Sequence, residues 1–313
     1  MRKLLAVLLF AGCAAEVETP PASTPPPPPP KRDVPSAHVS GRVNGASGFR
    51  VAHADVLVRV ADAACRPTET FVGATTDDNG EYLAVVEGAG ECVVVEARSG
   101  GASGTATQRV TLAVESPRVR VDVRMSRAPA LTDAEAERLV RMLADAINGQ
   151  QSEELDQYIL HGPEALRVAL EQYRTLLGRV TSVQRVSGFR YALNGKSHVD
   201  VHQEDLIRLH SPLLDYGFRA ERFMGLYLRA IASGDAEMLA RVLNPDDVDF
   251  PVPRAREIIE DYRRRYGDVG AIRAEFVGVD ERRNALLWRL RGGEITEPIE
   301  LGFGDGLIGM RGL

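Results

Sequence analysis

Thr76-Asp77-Asp78-Asn79-Gly80-Glu81-Tyr82 is a hairpin turn written in sequence. Asp78-Asn79-Gly80 supplies the turn residues, and Gly80 tolerates the positive φ that a tight hairpin requires. On both sides the chain alternates. Upstream, Val56, Val58 and Val60 alternate with Leu57 and Arg59. Downstream, Val119, Val121, Val123 and Met125 alternate with Arg118, Arg120, Asp122 and Arg124. A period of two with one apolar side predicts strands that bury one face. Asn44-Gly45, Gly88-Ala89-Gly90 and Ser99-Gly100-Gly101 are further turn signals. Together they cut the region into about seven short strands, which predicts an antiparallel β-sandwich over residues 35–127. The acids around Asn79 do not complete a calcium loop, because the downstream ligand spacing is missing.

Three segments carry a resemblance. Ser40-Gly41-Arg42-Val43 opens the module, the Thr76–Tyr82 turn sits at its middle, and Gly90-Glu91-Cys92-Val93-Val94-Val95-Glu96-Ala97 follows. This pattern resembles the carboxypeptidase regulatory-like, transthyretin-like family. The resemblance implies an all-β Greek-key sandwich that acts as a spacer, stabiliser or interaction domain and does not itself catalyse. Tyr82 is expected in the core with its hydroxyl on backbone. Cys92 stands where that family often has an aromatic residue.

The first residues have the layout of a secretory signal: Arg2 and Lys3, the apolar run Leu4 to Phe10, then Ala11-Gly12-Cys13. Phe10-Ala11-Gly12-Cys13 resembles the bacterial lipobox, with Phe10 where Leu is usual. The resemblance implies cleavage after residue 12 and lipidation of Cys13, and therefore a membrane anchor. Residues 14 to 34 contain Pro20, Pro21 and the run Pro25 to Pro30. Such a linker favours polyproline II and could stand the folded part roughly 60 Å from the membrane. Ala14 directly after Cys13 resembles the pattern of lipoproteins sent to the outer membrane. With Cys13 lipidated, Cys65 and Cys92 remain, an even number in an exported chain, and a disulfide between them is expected.

Residues 131 to 313 change period. Leu139, Val140, Leu143 and Ile147 form a helical stripe behind the capping pair Thr132 and Glu135. Glu153 to Leu160 and Pro163 to Leu177 continue helical. The design then returns. Ala136-Glu137-Arg138 recurs as Ala220-Glu221-Arg222, Ala146-Ile147 as Ala230-Ile231, Glu153-x-Leu155 as Glu237-x-Leu239, Tyr173-Arg174 as Tyr262-Arg263, and Gly178-x-Val180 as Gly267-x-Val269. The second copy ends in four expected strands, Ala271–Val279, Ala285–Leu290, Glu294–Phe303 and Leu307–Met310. Three helices and such a meander resemble the nuclear-transport-factor-two-like, cystatin-like cone fold. The first copy reads as two strands, 180–191 and 196–209, and so as a truncated relative. The expected fold class is multidomain, an all-β Greek-key sandwich followed by α+β cone-type units. The expected domains are a signal peptide (1–12), lipidated Cys and linker (13–34), sandwich (35–127), first α+β unit (131–215) and second (216–313).

The chemistry-bearing residues are sparse. His198, Asp200, His202 and Glu204 alternate along one strand and share a face, which is a weak ligand or metal candidate. The plainer reading is the solvent side of an amphipathic strand. His161-Gly162-Pro163-Glu164 formally matches a zinc-carboxypeptidase spacing, but Pro163 reads as a helix start. Arg263-Arg264-Arg265 follows Glu260 and Asp261 at ion-pairing spacing and reads as a solvated helix face, and Trp288 as core. No phosphate loop or nucleophile elbow occurs. The 313-residue chain has a formal charge of −6, which argues against nucleic-acid binding. The expectation is a non-enzymatic, lipid-anchored envelope protein with no cofactor, held to the membrane by its lipid and binding an envelope protein or glycan. The alternative is a small ligand, or metal-dependent hydrolysis, in the C-terminal cone.

Overall fold

The alternating segment folds into eight strands: β1 (Ser36–Asn44), β2 (Asp55–Ala61), β3 (Pro67–Thr75), β4 (Glu81–Glu87), β5 (Cys92–Ser99), β6 (Ala102–Arg109), β7 (Arg118–Arg120) and β8 (Val123–Arg124). The computed structural model describes residues 34–150, 154–243, 250–304 and 307–310. These lie in one compact unit, Val34–Leu313. The expected signal peptide, Cys13 and the Pro-rich run fall outside the described residues. One sheet has the order β4-β1-β7, with β8 also on β1, and the other β3-β2-β5-β6. Val39, Val43, Val56, Val58, Val93 and Val95 are at most 3% exposed, as the alternation requires. The Asp78-Asn79-Gly80 turn forms, but it is not a hairpin: β3 and β4, which it joins, lie in different sheets, so the chain crosses the sandwich there. The turn is held by Asp77, whose carboxylate accepts from the backbone N–H of Asn79 at 2.9 Å and of Glu81 at 2.8 Å. Gly80 has φ 72°.

The sandwich is not wholly antiparallel. β7 and β8 run parallel to β1, Val119 opposite Val39 and Val123 opposite Val43. Residues 110–117 separate β6 from β7, so the last run enters the sheet from a connection rather than a hairpin, and only a hairpin would impose antiparallel pairing. The strand comes in close. A Cβ on Gly41 would lie 1.8 Å from the Val121 carbonyl oxygen. The same oxygen accepts the Tyr82 hydroxyl at 2.6 Å, the backbone partner expected of that tyrosine. Tyr82→Phe should cost about 1 kcal/mol, read as a lower urea midpoint with an unchanged m-value. Cys65 and Cys92 form the expected disulfide.

After residue 131 come α1 (Asp133–Ile147), a 3₁₀ turn (Leu155–Tyr158), α2 (Gly162–Leu177), β9 (Val183–Ser187), β10 (Arg190–Leu193), β11 (Ser197–Gln203) and β12 (Ile207–His210). Thr132 caps α1 through its hydroxyl, which accepts from the Glu135 N–H at 3.2 Å. Then follow α3 (Pro212–Ser233), α4 (Ala236–Leu243), α5 (Val252–Tyr266), β13 (Arg273–Asp280), β14 (Ala285–Gly292), β15 (Ile295–Gly304) and β16 (Leu307–Met310). Each set of strands is an antiparallel four-stranded sheet in chain order. The first sheet therefore has four strands where the sequence reading has two. Its long runs break at Gly188, with φ 47°, and at the Glu204–Leu206 turn.

Matched landmarks take matched places. Ala136 and Ala220 are fully buried, as are Leu155 and Leu239, and Tyr173 and Tyr262 are nearly so. Gly178 and Gly267 close α2 and α5 with φ 64° and 67°. Arg174 donates to the carbonyls of Ile147 and Ala146 at the end of α1, at 2.8 and 2.9 Å. Arg263 lies against Gly234 at the end of α3, where a Cβ would stand 2.2 Å from its Nη2. Both cations sit where helix carbonyls point outward, the favourable end of the dipole. The architecture as a whole is multi-sheet, mainly β with several helices.

Candidate functional site

The sandwich turns and the first α+β unit are stitched together by short-range contacts. His53, which has φ 54°, hangs its backbone N–H on the Thr76 carbonyl at 3.1 Å. Its Nε2 lies 3.0 Å from the Asp78 carboxylate. The other side of the ring covers Gly162, where a Cβ would stand 2.8 Å from its Nδ1. Gly162 opens α2, so a sandwich loop meets that helix at its first residue.

The β11–β12 turn supplies the second stitch. The Asp205 side chain, 4% exposed, accepts from the Ser47 N–H at 2.6 Å and from Arg127 Nε at 3.1 Å. Hydrogen bonding from Ser47 first, with Arg127 adding to it, holds its carboxyl below the ordinary carboxylate value. Gln203 accepts from Leu131 N–H and donates to the Pro129 carbonyl, both at 2.6 Å. The third stitch is Gly100. Its N–H donates to the Gln157 carbonyl and its carbonyl accepts from Ile207 N–H, both at 2.9 Å.

Between these stitches lies a cleft of about 1140 Å³. Phe49, His53 and Asp78 line it from the sandwich, Leu160 and His161 from the start of α2, His202, Arg208 and His210 from β11 and β12, and Phe218 and Arg222 from α3. Four of the six histidines of the chain face it. The rings of His202 and His210 lie 4.8 Å apart, and His210 Nδ1 is 3.3 Å from the Asp215 carboxylate. Phe49 and Leu160 are each 42% exposed and give the lining an apolar, accessible part.

Arg208 is the unusual member. It is 9% exposed. Its guanidinium donates to the Gln157 carbonyl and, at 3.0 Å, to the Ser99 hydroxyl. Among the described residues no carboxylate pairs with it. Burial lowers its pKa to about 10, which still leaves it charged at neutral pH. A buried cation held only by neutral oxygens is costly to the fold.

His161 is shifted the other way from a usual ion-paired histidine. Burial first, then the neighbouring Arg219 cation, lower its pKa from the ordinary 6.5. The folded chain therefore binds this proton less readily than the unfolded one. The stability linked to His161 is complete above pH 6.5 and is lost as the pH falls below it. His161→Gln should flatten the drop in Tm between pH 7.5 and 5.0, and an unchanged pH profile would contradict this.

The four alternating residues part company: His198, Asp200 and His202 lie on β11, but the strand ends at Gln203 and Glu204 falls in the bend after it. His198 Nδ1 lies 2.9 Å from Glu281, beside the β13–β14 turn. Asp200 is half-buried on the same strand. His202 and Glu204 line the cleft, and so do His161 and Glu164. Among the described residues no three His, Cys, Asp or Glu side chains converge to hold a metal. Arg265 pairs with Asp261 at 2.7 Å as its spacing predicts. In the last unit Tyr227, Ile259, Tyr262, Leu286, Trp288 and Leu290 are all at most 5% exposed, so its helices and sheet are packed against each other there. The sequence reading missed Arg208. The signal was available: one charged residue inside the apolar run Leu206-Ile207-Arg208-Leu209.

The sequence matches no family model and no curated protein. Among solved structures, chlorocatechol 1,2-dioxygenase from Pseudomonas putida is similar over 30% of this chain and 61% of its own, at 11% identity and TM-score 0.24. A DUF3823 family protein from Parabacteroides merdae is similar over 30% and 47%, at 12% identity and TM-score 0.22. The major plantain pollen allergen Pla l 1 is similar over 31% and 99%, at 19% identity and TM-score 0.23. The chain thus spans about half to three fifths of the first two of these proteins. Likenesses with TM-scores this low carry no inference about this chain.

Proposed function

We propose that this chain is a non-enzymatic binding protein of the cell envelope, anchored by lipid on Cys13 and carried off the outer membrane by the Pro-rich linker. The sandwich is a transthyretin-like Greek key in this reading, and the two α+β units are cone-type folds. Together they form a binding arm. The observation that carries the reading is the cleft between the sandwich and the first α+β unit, which combines apolar lining with several convergent polar groups, the usual make-up of a ligand site. In this reading the site lies at this junction and not in the C-terminal cone, where Tyr227, Tyr262 and Trp288 are buried.

Two experiments test it. In the native cells, incorporation of labelled palmitate should vanish in Cys13→Ser. A photo-cross-linking residue at Leu160, on the cleft lining, should capture one dominant envelope component. The same residue at Val114, which is 53% exposed and does not line the cleft, should not. Identical capture from both positions, or turnover of a defined substrate by the pure protein, would overturn the reading.

A further inference from the structure

The cleft contains more information than its volume. We infer that it binds a small molecule carrying a carboxylate on an apolar body, with the carboxylate seated on Arg208. This rests on the proposal that the cleft is the binding site, and it adds the chemical class of the ligand.

The argument starts from cost. A guanidinium buried to 9% exposure without a carboxylate partner is unfavourable unless something outside the fold completes it. Arg208 has five N–H donors and commits two of its nitrogens to Gln157 and Ser99. The other N–H groups are left for an acceptor. A planar two-oxygen anion matches the fork of a guanidinium better than any other common ligand group. Both existing partners are neutral, so the cation's charge is not yet compensated.

The rest of the lining selects among anions. The lining carries exposed charges of both signs, Asp78, Glu164 and Glu204 with Arg50 and Arg222. With acids and cations near balance around it, the lining adds no net attraction for the second negative charge that a phosphate dianion would carry over a monoanion. Phe49, Leu160 and Phe218 offer apolar surface for the remainder of the ligand. An apolar monoanion satisfies both halves of the site.

The test uses the full chain in detergent, with calorimetry against three probes: benzoate, benzamide and inorganic phosphate. Benzoate should bind, with benzamide and phosphate each at least tenfold weaker. Arg208→Met should reduce benzoate affinity at least tenfold. Its Tm should not fall, because an apolar side chain of similar length removes the buried charge and Gln157 keeps its bond from Gly100. Equal binding of benzamide and benzoate would overturn the inference without needing any variant. Phosphate binding as tight as benzoate would overturn the choice of a carboxylate. If no probe binds while Leu160 still captures one envelope component, the ligand class is wrong and the cleft reading stands. If Leu160 captures nothing specific either, both fail.

Discussion

Serine in place of Cys92 is expected to lower the unfolding free energy by about 3–4 kcal/mol, the entropy of reopening a closed loop of this size. Cys65 and Cys92 are 27 residues apart in sequence. Their bridge joins the first residue of β5 to the loop after β2. Cys92 is fully buried with Ala61 and Val94 in a small cluster separate from the main core, so little other apolar packing anchors that loop. Local polar bonds shape it instead. The Asp62 carboxylate accepts from the backbone N–H of Ala64 at 2.9 Å and of Arg66 at 3.0 Å. Cys65 takes φ 57°, a left-handed value uncommon outside glycine. These features order the loop but do not close the larger ring. Urea unfolding of the oxidised protein, the reduced protein and the Cys92→Ser variant provides the check. The last two should coincide and lie well below the first. Superimposed curves for all three would show that the bridge contributes nothing.

How much of this was legible in the chain depends on whether a feature is local. Period-two alternation over 119–125, the Asp78-Asn79-Gly80 turn and the Thr132 cap each depend on a few neighbouring residues, and all appear where the sequence places them. The internal repeat was legible for a related reason, since each landmark does the same local work twice. Arg174 and Arg263 both lie at the end of a preceding helix, and Gly178 and Gly267 both close one. The parallel entry of β7 was not legible. Alternation gives the buried face of a strand but not its neighbour or direction. The candidate site was legible only in fragments. His161, Glu164 and His202 stood out as isolated chemistry, and the structure puts them in one cleft. His198 stood out equally and is directed to Glu281 instead. The cleft draws on five separated segments between residues 49 and 222. No spacing rule joins segments so far apart; their meeting is decided by contacts such as Asp205 with Ser47, which are visible only once the chain is folded.

Gly100→Ala is expected to cost about 2–5 kcal/mol and to weaken the cleft together with the fold. Two effects add. Gly100 has φ 51°, where a side chain costs about 1–2 kcal/mol. A Cβ there would also stand 2.6 Å from the Ile207 carbonyl oxygen and 2.9 Å from the Leu206 Cβ. Backbone on one side and a buried side chain on the other leave little room to relax, and overpacking of this kind costs about 1–3 kcal/mol. Gly101 is the internal control. It has φ 75°, but its nearest neighbour would be the Ile207 side-chain end at 3.5 Å, an ordinary contact. Gly101→Ala should therefore show the backbone effect alone. The difference between the two variants isolates the close approach of the β5–β6 turn to β12. That approach matters for function because Arg208 follows Ile207 directly and shares its strand. Pushing β12 away from Gly100 moves the guanidinium relative to Ser99 and Gln157, which hold it in place. Benzoate affinity should fall in Gly100→Ala at a temperature where the variant is still folded, and stay near wild type in Gly101→Ala. Loss of stability in Gly100→Ala without any loss of affinity would mean that the turn supports the fold but does not position Arg208.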